Sequence, residues 1–203
     1  MPGLLEKKKQ QLRQALVTAA MSLFARDGFE ETTVDQVAEA AGVSRRTVFR
    51  YFLTKDALVT EPMEVYRAHF IELLAELPPE ADSFERVAHA CLGSARAMGV
   101  ERELLLKRRA IVMASPTLSA KERSLDESWE DALAAALGSE GGAGKHQSRI
   151  VAAAVFAAMR TTLSQWLDAG AQGSLEALAE EGLVLLRPLF RKSQSYCCHC
   201  GYQ

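Results

Sequence analysis

Residues 32–55, TTVDQVAEAAGVSRRTVFRYFLTK, decide how this chain is read. Val34, Val37, Ala38 and Ala41 recur at helical spacing and make one apolar face. Gly42 interrupts that run where a short turn between two helices asks for a positive φ. Ser44 suits the cap of a second helix, because its hydroxyl accepts from the open N–H groups of a first helical turn. That second helix, over 45–52, sets Val48 and Phe52 on one side, four apart. On a wheel of about 100° per residue with Val48 inward, Arg46, Thr47 and Arg50 point outward, flanked by Arg45, Phe49 and Tyr51. Between Glu39 and Asp56 there is no acid. A merely solvated face mixes both signs of charge. A face of arginines, a hydroxyl and aromatics can grip guanine edges with a guanidinium fork and neutralise phosphates. The stretch therefore predicts a helix-turn-helix, closely crossed at its small residues.

Working outward, charge is unevenly spread. The chain has 203 residues, 48% hydrophobic, with a net charge of −2. Residues 1–60 hold nine Lys/Arg and seven Asp/Glu; the rest holds 15 and 19. A basic N-terminal part on an acidic body suits a DNA reader joined to a module that does not touch DNA. The charged N-terminus has no apolar core behind it as a secretory signal would, and no uninterrupted apolar run has membrane-spanning length. Three of the four cysteines crowd together at 197, 198 and 200, which is no disulfide framework. A reducing cytoplasm is the simplest expectation.

The remaining segments all carry helical periodicity, with no strand alternation and no internal repeat. Residues 1–7 are expected to fray ahead of a helix bearing Leu12, Leu16, Ala19, Ala20, Leu23 and Phe24, closed by Gly28. Lys7, Lys8 and Lys9 at its start are candidates for phosphates. Thr32 or Thr33 should cap the next helix, where a hydroxyl can also hold a phosphate. Thr54 should cap a helix from Lys55 that Pro62 kinks or breaks, and Pro78-Pro79 should stop it. Further helices are expected from 84, over 101–114 and over 119–137, with a flexible loop, GSEGGAG, over 138–144. Two more, over 150–167 and 175–190, are richer in apolar residues than one small bundle needs, and they suit self-association.

The run over 24–58, FARDGFEETTVDQVAEAAGVSRRTVFRYFLTKDAL, resembles the DNA-binding domain of the TetR family of bacterial one-component regulators. Phe24, Gly28, Phe29, Thr32-Thr33, Val37-Ala38, Ala41-Gly42-Val43-Ser44, Thr47, Val48, Tyr51-Phe52 and Lys55 carry the match. It departs at Arg46, where the family often has a small residue, and at Phe49, where it often has Tyr. Phe49 has no hydroxyl for a phosphate, and Arg46 adds a long side chain, so no relative's operator can be carried over.

The resemblance implies an all-α chain in two domains. Residues 1–54 would form a three-helix DNA-binding domain. Residues 55–191 would form a helical bundle for ligand binding and dimerisation, and 192–203 a tail without fold. It implies a cytoplasmic homodimeric repressor on a palindromic double-stranded operator, released by a small molecule, without cofactor or membrane. Thr33, Ser44, Arg45, Arg46, Thr47, Phe49, Arg50, Tyr51 and Lys55 are the expected DNA contacts. Ala154, Ala158, Leu175, Leu178 and Leu186 are expected in a dimer interface built as a four-helix bundle.

For the ligand, Arg108, Arg109, Trp129, Arg160 and Trp166 are the candidates, with His89 and Gln165 behind them. The segment over 107–137, with the Trp166 region, loosely resembles regulators whose bodies take acyl-coenzyme A-like ligands. Adjacent arginines can meet a phosphate and an alanine- and leucine-rich channel an acyl chain. The tail Tyr196-Cys197-Cys198-His199-Cys200 offers soft metal ligands, but zinc sites generally use two separated pairs, so no metal is expected there. A metal or redox sensor is the alternative. An enzyme or a non-DNA-binding scaffold is a further one, against which the chain carries no spaced acid/His set, nucleophile elbow or glycine-rich phosphate loop.

Overall fold

A computed structural model describes residues 3–78, 80–138 and 145–190, with side chains for all of these but Leu5 and Lys145. The apolar stripes of the sequence become α1 (Leu4–Asp27), α2 (Val34–Ala40), α3 (Arg45–Tyr51), α4 (Ala57–Glu76), α5 (Ser83–Val100), α6 (Arg102–Ala114), α7 (Pro116–Gly138), α8 (Lys145–Asp168) and α9 (Leu175–Leu186). The fold is all-α, as expected. A 3-10 turn, Arg187–Phe190, follows α9, because Pro188 has no N–H to continue the α ladder.

Apolar burial gathers into two cores. The first joins Leu16, Val17, Ala20, Met21 and Phe24 of α1 to Val37, Ala38, Val48 and Phe52 of the helix-turn-helix. Leu58 and Val59 of α4, and Ile111, Val112 and Leu118 from the α6–α7 corner, complete it. The second takes Tyr66, Phe70, Leu73 and Leu74 from the rest of α4 and packs them with α5, Trp129 and Leu133 of α7, α8 and α9. Helix α4 thus runs from one core into the other.

Several expected boundaries shift. Helix α4 begins at Ala57, its cap position Asp56 makes no side-chain cap bond, and Thr54 does not cap it. Pro62 leaves α4 continuous. A proline removes one i→i−4 bond, and the packing of α4 on both sides of that turn holds the helix together. Only Met1 and Pro2 precede the described N-terminus, and α1 is already formed from Leu4. Helix α7 starts at Pro116, where a fixed φ and a missing N–H cost nothing. Helix α4 ends at Glu76, since Leu77 is held extended before Pro78. Helix α8 amends the membrane expectation: over His146–Asp168 it is long and apolar enough to cross a membrane. Here it packs between α7 and α9, with Val151, Ala152, Val155 and Trp166 in the second core. The loop residues 139–144 and the tail with Cys197, Cys198, His199 and Cys200 lie outside the described residues.

Candidate nucleic-acid interface and body cavity

Local hydrogen bonds build the reading unit almost completely. Thr33 forms a capping box with Gln36. Its backbone N–H donates to Gln36 Oε1 at 2.7 Å, and its Oγ1 accepts from the Gln36 N–H at 3.3 Å. At the other end of α2, the Val43 N–H reaches the Ala38 carbonyl at 2.9 Å and the Gly42 N–H reaches Glu39 at 3.0 Å. That is a Schellman closure, and it places Gly42 at φ +65°. The Ser44 Oγ then accepts from the Thr47 N–H at 3.2 Å and lies 2.9 Å from the Thr47 hydroxyl. Two seven-residue helices, each too short to persist alone, are thereby fixed at a tight angle over Val37 and Val48.

The outward side of α3 matches the wheel in part. Arg45, Arg46 and Arg50 are exposed, and Phe49 is 37% exposed. Arg45 is paired with Asp35 of α2 at 2.8 Å and stacks on Phe49, with 5.3 Å from its Cζ to the ring centre. Arg50 stacks on Tyr51 at the same distance. Arg46 has no partner among the described residues. Thr47 is half-buried, with its hydroxyl at the Ser44 cap.

Lys55 is the clear departure. Its Nζ donates to the carbonyls of Phe29, Glu30 and Thr32 at 2.7, 3.2 and 3.0 Å, and it lies 4.3 Å above the Phe29 ring. An ammonium has three protons, and all three are engaged. Lys55 fastens the loop after α1 to the start of α4, so its ammonium already has three partners where a phosphate contact was expected of it. Sequence reading also missed Asp35, which orients Arg45. It missed the partner of Thr33 although Gln36, three residues on, is a capping-box signature.

The body holds a cavity of about 290 Å³. Arg108, Arg109, Trp129 and Arg160 line it. Trp166 does not: it is 1% exposed in the second core, and its indole N–H donates to the Gly173 carbonyl at 3.4 Å. His89 pairs with Glu76 at 2.8 Å, and neither it nor Gln165 reaches the cavity. Leu175, expected at a dimer face, is 4% exposed and forms part of the cavity wall. Leu186 also packs toward the second core. Leu178 is outward, in a row continued by Leu185 and Leu189 that sequence reading did not separate from the inward row. Ala154 and Ala158 are half-buried on α8.

Each cavity arginine meets an acid. Arg108, 5% exposed, grips Glu122 with both terminal nitrogens, one of them at 3.0 Å, while its Nε donates to the Val59 carbonyl at 2.9 Å. Arg109 pairs with Asp168 at 2.6 Å, and Arg160 with Asp126 at 3.2 Å. Burial pushes the Asp126 carboxyl above its ordinary range, with Arg160 opposing that shift. These acids were missed, although Glu122, Asp126 and Trp129 share one face of α7 at helical spacing. Cys91, beside the cavity wall at 3.1 Å from the Met159 sulfur, is fully buried, and burial pushes its thiol up to about 12.

Among the polar links from this region to the DNA-binding core are two hydrogen bonds. One is the Arg108 bond to Val59. The other is Ser115, whose hydroxyl donates to Glu30 at 2.5 Å and holds that carboxyl below its ordinary range.

A capped helix-turn-helix presenting arginines, joined through α4 to a helical body with an internal cavity, defines a DNA-binding regulator with a sensor body. Residues 16–61 match the model of bacterial regulatory proteins of the tetR family, and residues 81–191 match the MftR C-terminal domain. The regulator TcmR of Streptomyces glaucescens is 30% identical over 199 residues, 92% of this chain and 88% of that protein. MftR of Mycobacterium tuberculosis, named for mycofactocin biosynthesis, is 29% identical over 115 residues, 57% of this chain and 58% of that one. Among solved structures, FadR from Bacillus halodurans superposes with a TM-score of 0.64 at 21% identity, covering 86% and 94% of the two chains. FadR from Bacillus subtilis, solved with stearoyl-CoA, gives 0.63 at 20% identity, covering 85% and 96%. The chain belongs to the TetR family of bacterial transcriptional regulators. It is a helix-turn-helix DNA-binding protein of a family whose members dimerise.

Proposed function

We propose that this protein is a cytoplasmic homodimeric repressor that leaves a palindromic operator when a small molecule fills the cavity of its body. On this reading residues 1–54 read DNA, and residues 55–191 bind the effector and dimerise. The observation that carries it is the α3 surface. Arg46 projects without a partner among the described residues, from the first turn of a helix capped by Ser44. N-terminal residues of such a helix reach base edges in the major groove. Arg45, Arg46 and Thr47 hold those positions. Thr33, Ser44, Phe49 and Tyr51 lie where phosphates pass, and Arg50 serves either contact.

Selection of bound fragments from random DNA tests this reading. The expected site is a palindrome with half-sites roughly one helical turn apart or slightly more. Arg46→Ala should cost about 1–3 kcal/mol in binding and relax preference at one position of each half-site. Unchanged affinity and base preference would remove α3 as the reader.

Dimerisation is assigned to α8 and α9, through the small residues Ala154 and Ala158 and the outward row Leu178, Leu185 and Leu189. Leu178, Leu185 and Leu189 are 36%, 80% and 42% exposed in one protomer, an apolar stripe that a second copy would cover by two-fold symmetry. Leu185→Glu should give a monomer in sedimentation at micromolar concentration; a wild-type monomer would sink the assignment.

The effector has an apolar body, for which the cavity walls are suited. An acyl-coenzyme A-like effector keeps only half of its support: the walls suit a chain, but Arg108 and Arg109, meant for its phosphates, are held by acids.

A further inference from the structure

We propose that the cavity takes an uncharged, mainly apolar, ring-bearing molecule and turns away carriers of phosphate or carboxylate. This deepens the effector reading and rests on the cavity being the effector site.

Charge balance is the first argument. The cavity region holds three guanidinium groups, those of Arg108, Arg109 and Arg160. They are matched one to one by the carboxylates of Glu122, Asp168 and Asp126. An anion entering low-dielectric surroundings loses its hydration and must recover it from unsatisfied donors or surplus positive charge. Here no surplus positive charge is offered, and the most deeply buried donors, those of Arg108, are already engaged. Arg108 already gives both terminal nitrogens to Glu122 and its Nε to Val59. To take an anion it must release Glu122, whose carboxylate would then stand without its partner at the cavity wall. Breaking a pair of this kind costs more than a new pair of equal strength returns. A cation meets the same difficulty with signs reversed, since each carboxylate is already occupied. A neutral guest disturbs none of the three pairs.

Wall chemistry is the second argument. Met63, Met98 and Met159 bring thioethers, and Trp129 and Phe156 bring rings whose centres lie 5.8 Å apart at 45°. Sulfur and aromatic edges are polarisable and favour flat guests. Thr162 also lines the cavity, and its hydroxyl has no hydrogen-bond partner among the described residues, one polar handle for a carbonyl or hydroxyl on the guest. At about 290 Å³ the space lies at the small end of the range for drug-sized ligands, enough for a fused-ring molecule and too little for a nucleotide-bearing thioester.

The test is direct binding to the full-length protein without DNA. Tryptophan fluorescence, with Trp129 as reporter, and thermal shift are read against four probes. Flavone and anthraquinone are the neutral ring compounds; dodecanoate and lauroyl-coenzyme A are the anions. The neutral probes are expected to bind in the micromolar range and to quench Trp129, with the anions at least roughly tenfold weaker. Leu163→Trp, which fills the cavity, should abolish the neutral binding while circular dichroism stays unchanged. Asp126→Asn with Asp168→Asn leaves Arg160 and Arg109 unpaired near the surface, and should raise dodecanoate affinity roughly tenfold or more. Anions binding the wild type as tightly as the ring compounds would overturn the proposal. So would binding of no neutral probe, or a double variant that gains nothing for dodecanoate. An anion that binds and releases operator DNA would sink this inference and leave the ligand-released regulator standing. A neutral probe that binds and leaves operator DNA in place would do the reverse.

Discussion

The helix-turn-helix and the body cavity are built on opposite plans. Within residues 33–52 nearly every contact that matters spans three to five positions: the Thr33–Gln36 box, the Ala38–Val43 closure, the Ser44–Thr47 cap. The cavity assembles side chains from Met63 to Ala179, contributed by six helices. Its three ion pairs bridge 14, 34 and 59 positions. The helix-turn-helix surface is therefore held by backbone chemistry, whereas the cavity is held by pairs that one substitution can open. Arg108 ties the cavity to the core beneath the helix-turn-helix, since it lines the cavity and bonds the carbonyl of Val59, a residue of that core on α4.

That comparison breaks most visibly at Arg108. Arg108→Ala would strand Glu122 and free the Val59 carbonyl. It should lower stability by about 3 kcal/mol, the low end for a disrupted buried pair because Glu122 keeps 31% of its side chain exposed. Arg108→Lys should recover only part of this, since an ammonium cannot fork to both carboxylate oxygens. Denaturant unfolding of both variants checks the claim, and an unchanged midpoint in Arg108→Ala would show that the pair does not tie the regions together.

A smaller effect is expected at Lys55, where the two regions meet at the start of α4. Lys55→Met should cost about 2 kcal/mol of stability, because three carbonyls lose a charged donor. Its operator binding should keep nearly the wild-type salt slope, whereas Arg50→Ala should lower that slope by about one. A salt series that falls by one unit for Lys55→Met would return that lysine to the phosphate contacts.

The smallest effect sharpens the local side of the comparison. A Cβ at Gly42 would meet nothing within 4 Å, so Gly42→Ala reports backbone conformation alone. At φ +65° the cost should be about 1 kcal/mol, measured by thermal unfolding, with Gly42→Asn milder because Asn tolerates that region. A loss as large as that of Arg108→Ala would mean the turn is held by more than its own hydrogen bonds.

The sequence by itself determined the all-α class, the position of the turn at Gly42, the cap at Ser44 and the exposed arginines of α3. Each is encoded within one or two helical turns, where residue type acts on its own backbone. Periodicity also found the helices of the body, but not which apolar rows face inward: Leu175 and Leu178 read alike, yet one lines the cavity and the other faces out. That choice depends on where α5 and α8 pack against α9. Only the tertiary structure decided that Lys55 fastens a loop, that Trp166 is core, and that Arg108, Arg109 and Arg160 are neutralised. A charged side chain takes whatever partner the fold brings within reach, and spacing along the chain does not record that partner when it lies tens of residues away.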